Sequence, residues 1–154
     1  MEIRFAKAQD VPAMIKLLQQ AGKIHHQGRP DLFLANAQKY SPSQLLGMLE
    51  KQDVPMFVAV EGDTVLGCGI CRLEVVHLHC EMKDRISLCV EDLYTSEENG
   101  QEVCAAIYRH ILEYAKYRGC YNVTLNVWCC QESAMKFYES MGMKAQKVGM
   151  EAIL

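Results

Sequence analysis

Two apolar runs, Met56 to Glu61 and Thr64 to about His77, meet at Gly62-Asp63, and this junction constrains the fold more than any other feature. Such a tight turn wants positive φ, glycine supplies it, and the two runs therefore form an antiparallel hairpin. A third strand-like run, Ile86 to Thr95, follows, with acids at Glu91 and Asp92. The segments around this sheet have helical spacing. Val11, Met14, Ile15, Leu18 and Ala21 mark one helical face after Asp10, a capping residue, and Pro12, which suits a first turn. Gly22 reads as the terminator, which leaves His25 to Asp31 as a loop. Ser41-Pro42-Ser43-Gln44 is a capping box opening a short helix with Leu45, Leu46 and Leu49 inward. Gly100 to about Arg118 carries Val103, Ile107, His110, Ile111 and Tyr114 on one stripe, and Gly119 ends it. With strands at Glu2–Lys7, Tyr121–Trp128 and Lys144–Leu154 and a helix at Glu132–Met141, the order is β-α-α-β-β-β-α-β-α-β. That is an α/β chain, a mixed sheet flanked by four helices.

The 154 residues suit a single domain, 1–154, able to bury roughly two thirds of its unfolded surface. A net charge of −3, from 16 Lys+Arg against 19 Asp+Glu, offers no basic excess for a phosphate backbone, so no nucleic-acid partner is expected. Met1 to Phe5 lacks the features of a signal peptide, and no apolar stretch approaches the ~18 residues of a membrane span. The expectation is a cytoplasmic protein with no membrane partner.

The eight cysteines invite a metal reading. Cys68 and Cys71 form a C-x-x-C, but within a strand a spacing of three sends side chains to opposite faces. Structural zinc pairs sit on tight turns and need a second pair, which Cys80, Cys89, Cys104 and Cys120 do not supply at matching spacing. No metal is expected, and most of these thiols read as small core hydrophobes.

The element order and three stretches of the second half resemble the GNAT superfamily of acyl-CoA N-acyltransferases, over nearly the whole chain. The fullest match is Leu125 to Met143, where the family has a strand, then Asn-x-x-Ala, a helix with a Tyr, and a Gly followed by a bulky apolar residue. Here Gln131 takes the Asn place, while Ala134, Tyr138 and Gly142 fit directly. Glu91 to Thr95 looks like the family's bulged fourth strand, whose backbone pairs with the pantetheine arm and would polarise the thioester through N–H groups from Leu93 to Thr95. The resemblance implies acetyl-CoA as cosubstrate and direct attack by an amine acceptor. It also carries homodimerisation, common in the fold, as an expectation.

The cofactor loop departs from the family. Where the family has [Arg/Gln]-x-x-Gly-x-[Gly/Ala], this chain reads Asn99-Gly100-Gln101-Glu102-Val103-Cys104. The helix-terminal N–H groups that suit a pyrophosphate survive. Glu102 facing the anion at about 5 Å would cost about 1–3 kcal/mol per phosphate charge. Turned outward, it is simply an acid favoured in a first turn. Cys104 fills space that Gly leaves open, and at a helix N-terminus its thiol could have a lowered pKa.

By resemblance Tyr138 stands near the thioester sulfur and protonates or hydrogen-bonds the leaving thiolate; as structure alone, it belongs to a buried stripe with Ala134 and Met141. Relatives that acetylate ribosomal-protein N-termini carry a Glu where this chain has Asn126, which can orient a water or the amine but cannot take its proton. Strand alternation turns only one of Glu91 and Asp92 toward the cleft. Glu91 is the candidate base, beside an ordered water chain. The stretch His25 to Asp31 lies where the family frames its acceptor cleft, giving His26 and Arg29 as acceptor-side candidates, with Arg29 suited to a carboxylate; a histidine there can equally cap a helix end. Trp128 and Tyr94 are candidates to wall the acyl pocket. The alternative to an enzyme is a non-catalytic descendant, the same fold used for sensing or interaction.

Overall fold

The computed structural model describes residues 1–96 and 100–154, so Asn99 lies outside the described residues. The elements are β1 (Glu2–Phe5), α1 (Val11–Gly28), α2 (Pro42–Leu49), β2 (Met56–Glu61), β3 (Thr64–Val76), β4 (Arg85–Thr95), α3 (Gly100–Tyr117), β5 (Asn122–Leu125) and α4 (Glu132–Ser140). The five strands form one sheet in the order β1-β2-β3-β4-β5. The first four run antiparallel to their neighbours, and β5 lies parallel to β4. This is the expected α/β architecture, a mixed sheet with four helices.

Alternation along β2 divides the core in two. Met56, Val58 and Val60 join Cys68 and Ile70 of β3 against Met14, Leu18 and Leu45 of α1 and α2. Phe57 and Ala59 face the other way, joining Cys71, Leu88 and Val90 against Val103, Ile107, Ile111 and Ala115 of α3. Cys68 and Cys71 thus lie on opposite faces of the sheet, as a spacing of three requires. Burial pushes both thiols up, so they stay protonated. Among the described residues no group of three or more His, Cys, Asp or Glu side chains could hold a metal ion, and no helix is long and apolar enough to cross a membrane.

Several boundaries differ from the sequence reading. Helix α1 passes through Gly22 and ends only at Gly28. Gly22 is not among the residues with positive φ, which include the hairpin's Gly62 at +58°. It is instead a close-approach position, where a Cβ would come within 3.1 Å of the Ala37 carbonyl oxygen. Asp10 does not cap α1 with its side chain; its carboxylate accepts from both Arg4 Nη atoms and from the Lys7 N–H. On α2 it is Met48 that is buried beside Leu45, while Leu46 is exposed. Lys144 to Leu154 forms no strand. No strand of the sheet pairs with it, Gly149 interrupts its alternation, and Val148, Met150 and Ile153 remain exposed.

Candidate active site

The cleft originates in one irregularity of the sheet. Across β3 and β4 the register runs Cys71 with Val90 but Ile70 with Asp92, so Glu91 is an extra residue and β4 bulges there. On the other side, the ladder to β5 stops at Val90 and Leu125. Beyond those residues β4 runs on to Thr95, whereas the chain after Leu125 leaves the sheet for a turn at Cys129-Cys130. Between the two segments lies a cavity of about 470 Å³, bordered by Val90 to Tyr94 on one side and Leu125 to Trp128 on the other. Helix α1, the loop after it and α4 close the remaining walls through Leu18, Phe33, Lys39, Ala134 and Tyr138.

The floor is an ion pair between a buried acid and a half-exposed lysine. Asp92, 4% exposed, accepts from Lys39 Nζ at 2.8 Å on each carboxylate oxygen and from the Tyr40 hydroxyl at 3.0 Å. Burial raises the Asp92 carboxyl above its ordinary range, and the hydrogen bond and charge of Lys39 oppose that rise. Glu91 also borders the cavity, but its carboxylate is engaged by Arg72, with Nε at 2.7 Å and Nη2 at 3.3 Å. The bulge therefore gives two consecutive acids separate cationic partners. Glu91, the candidate base of the sequence reading, has its lone pairs directed toward a guanidinium.

The histidine pair is sorted by the extra helical turn. With α1 continuing to Gly28, adjacent side chains diverge by about 100°. His25 borders the cavity: its ring stacks on Phe33 at 5.0 Å, and its Nε2 lies 3.4 Å from the Tyr94 hydroxyl. His26 does not border the cavity; its Nδ1 meets the Phe33 carbonyl at 2.7 Å and ties the loop to the helix. Arg29 is likewise outside the lining, gripping Asp31 and Glu151. Of this stretch, His25, Phe33 and Lys39 border the cavity, whereas His26 and Arg29, the acceptor-side candidates of the sequence reading, do not. One signal in the sequence pointed there, because the apolar stripe at 14, 18 and 21 reaches 25 after one more turn. Lys39 and Tyr40 had no local signal, since their partner is more than fifty residues away.

Of the remaining candidates, Leu93, Tyr94, Asn126, Gln131, Ala134 and Tyr138 border the cavity. Trp128 meets Phe33 edge-on at 5.1 Å on the cavity wall. Burial pushes the Tyr138 hydroxyl well above the ordinary tyrosine range, with Cys104, Tyr94 and Tyr108 adding to the rise, and Tyr94 is raised for the same leading reason. Both phenols hold their protons at neutral pH and are available as hydrogen-bond donors.

The end near α3 is organised around Thr95. Its hydroxyl donates to the Gly100 carbonyl at 3.3 Å, and a Cβ on Gly100 would sit 2.9 Å from that hydroxyl oxygen. Gln101 and Glu102 are exposed in the first turn of α3, and Val103 is buried. Cys104 is half-buried, its Sγ donating to Thr95 Oγ1 at 3.9 Å. Burial raises its thiol, opposite in direction to the lowering that a helix N-terminus could give.

Known proteins resemble this chain at several levels. The sequence profile of the acetyltransferase (GNAT) family matches residues 15–143. N-alpha-acetyltransferase 30 of Schizosaccharomyces pombe is 29% identical over 86 residues, 56% of this chain and 55% of that protein, so the match spans about half the length of that relative. A solved variant of the BH1408 protein of Bacillus halodurans superposes with a TM-score of 0.95 at 27% identity, covering 100% of this chain and 99% of the other. The fold also matches an aminoglycoside acetyltransferase, meta-AAC0020, from an uncultured soil metagenomic sample, with a TM-score of 0.73 at 15% identity over 99% of this chain and 95% of that one.

Proposed function

The chain belongs to the acetyltransferase (GNAT) family, and we propose that it moves an acetyl group from acetyl-CoA to a primary amine by direct attack on the thioester. The observation that carries this reading is the wedge opened where β4 bulges at Glu91 and parts from β5 after Val90, with Tyr138 facing into it. There the backbone of Asp92 to Thr95 has no β5 partner, so its outward N–H groups are free for the pantetheine amide and the thioester carbonyl. The strand leads toward the N-terminus of α3, where the N–H groups of Gly100, Gln101 and Glu102, which have no partner within the helix itself, would suit a pyrophosphate. Gln131 and Ala134 flank the same path, and Asn126 lies on the acceptor side, where it can orient an amine.

Tyr138 acts in this scheme as a hydrogen-bond donor to the departing sulfur. A phenol held well above its ordinary range gives its proton up reluctantly, so its contribution is stabilisation of the thiolate and not a completed proton transfer. The acceptor is an amine of a peptide, an amino acid derivative or another small molecule, and the likeness to an N-alpha-acetyltransferase supports starting with peptides. Eight free thiols suit the reducing cytoplasm.

A second reading, a CoA-binding module without turnover, draws its support from Glu102 and Cys104, which stand where the family's loop has small residues. A thermal-shift titration with acetyl-CoA and CoA, followed by thiol-release assays on an amine panel, separates the two. Acetyl-CoA at millimolar concentration is expected to raise the melting midpoint, since saturable native-state binding stabilises by RT ln(1 + [L]/Kd). Absence of any shift removes the enzyme reading, and a shift without thiol release on any amine favours the second. Tyr138→Phe is expected to lower turnover by about 10- to 100-fold, the worth of a hydrogen bond to a charged group, with the thermal shift preserved. Equal loss of both would make Tyr138 a packing residue.

A further inference from the structure

Direct attack requires a group that takes the amine's proton, and the two acids of the bulge are already engaged by Arg72 and Lys39. We propose that His25, at the end of α1, is that proton acceptor, its imidazole held over the cavity by Phe33 and facing the Tyr94 hydroxyl. The proposal rests on the acetyltransfer reading and adds a residue to it.

The groups facing His25 come from three elements. Phe33, from the loop after α1, stacks on the ring at 5.0 Å with the planes 30° apart, which fixes its orientation. Lys39, from the same loop, is neutralised by Asp92 of β4. Tyr94 of β4 stands 3.4 Å from Nε2, a long contact that leaves this nitrogen free to change partners when an amine enters. Tyr138 of α4 borders the same cavity from the sulfur side. Burial, with the Lys39 charge, lowers the imidazole below its ordinary value, and Asp92 works against that shift. At neutral pH the ring is therefore uncharged and able to accept. The other titratable side chains of the lining are unsuited to this, because both phenols are protonated and both carboxylates are ion-paired.

The step balances without an added reagent. As the amine nitrogen bonds to the acetyl carbon, its proton passes to His25 Nε2 and the carbon–sulfur bond breaks. The electron pair leaves on the CoA sulfur, whose thiolate accepts a hydrogen bond from Tyr138. The imidazolium then releases its proton to solvent, and solvent protonates the freed thiolate to the thiol.

The experiment is a pH profile of kcat/KM for the full chain and for His25→Ala, using acetyl-CoA and a peptide with a free α-amine. Two groups must be neutral, the amine and the imidazole. Log kcat/KM is therefore expected to rise with slope 2 in acid and to break to slope 1 below pH 6.5, the ordinary histidine value. His25→Ala is expected to lose about 10²-fold or more, to keep slope 1 throughout, and to recover in part with added imidazole. Its acetyl-CoA thermal shift should match the unsubstituted protein. Activity within a few-fold of that protein, or a wild-type profile without the break, overturns the assignment. So does a loss that imidazole does not rescue, since that outcome marks a packing role. A wild-type protein that neither shifts with acetyl-CoA nor releases thiol fails at the acetyltransfer reading itself, a result recognisable without the variant.

Discussion

Lys39, Tyr40 and Asp92 satisfy one another at the end of the cleft that we propose receives the acceptor, while at the α3 end Gly100 to Glu102 form a first helical turn whose N–H groups have no partner within the helix itself. The first of these ends also has packed rings, His25 stacked on Phe33 and Phe33 edge-on to Trp128. The α3 end rests on one hydroxyl, Thr95, which touches both Gly100 and Cys104. The difference indicates where organisation comes from. The acceptor end is assembled by folding, so its geometry is part of the stability of the protein. On the proposed reading the α3 end meets the pyrophosphate of the ligand, so its contribution appears on binding. Substitutions should accordingly register as melting temperature at one end and as affinity at the other.

The largest expected effect follows from Lys39→Met. It leaves the buried Asp92 with Tyr40 alone, and removing one partner of such a pair is costly. Because the Lys39 side chain is half-exposed, about 2 kcal/mol is expected, at or below the low end for buried pairs. For a domain of this size that lowers the midpoint by roughly 4–8 °C at pH 7. The pH dependence gives a sharper check. The folded-state pKa of Asp92 lies above its ordinary 3.8, so protonation favours the folded form, and that advantage is lost as pH rises through the raised value. Without Lys39 the loss deepens. The deficit of the variant should therefore be greatest at neutral pH and shrink toward pH 4. An unchanged midpoint at pH 7 would mean that the acceptor end is not preassembled.

At the other end the two residues that depart from the family's loop should behave differently. Cys104 packs inward, so Cys104→Gly is expected to cost about 1–2 kcal/mol, from a glycine inside a helix and a lost contact, without tightening acetyl-CoA. Glu102 is exposed in the first turn, so Glu102→Gln should leave the midpoint nearly unchanged. It should tighten acetyl-CoA by a few-fold at low salt, fading at high salt as screening removes the repulsion. Isothermal titration at two ionic strengths reads this directly. Tightening by Cys104→Gly would show instead that its bulk obstructs the ligand.

The same contrast explains what could be read in the sequence. Elements defined by their own periodicity or turn chemistry were legible: the Gly62 hairpin, the α3 stripe, the Ser41 capping box, and the opposed faces of Cys68 and Cys71. The family motif located the cavity wall at Gln131, Ala134 and Tyr138. The acceptor end was not legible, because it is built from contacts remote in sequence. The Lys39–Asp92 pair exists only once the loop after α1 folds over β4. The choice between His25 and His26 depended on whether α1 stopped at Gly22; the helix runs on, and Gly22 serves instead as a close approach to the Ala37 carbonyl. A glycine marks either a helix end or a close approach, and local sequence does not distinguish them. The partners of Glu91 and Asp92 were settled by a bulge, whose register is a property of the neighbouring strand.

The smallest expected effect concerns the segment after Met143. Truncation before Lys144 removes Val148, Met150 and Ile153, which are exposed and bury no core, together with Glu151 on Arg29. Arg29 keeps Asp31, and exposed ion pairs contribute little. The midpoint should move by no more than about 2 °C. If the acceptor end is organised by folding of residues before this segment, acetyl-CoA binding and the His25 pH profile should also survive truncation. A fall of about 10 °C would mean that these apolar side chains are covered in solution and that the acceptor end owes part of its order to them. Repeating the melt over a range of protein concentrations then decides the source, because a midpoint that falls with dilution requires a second chain.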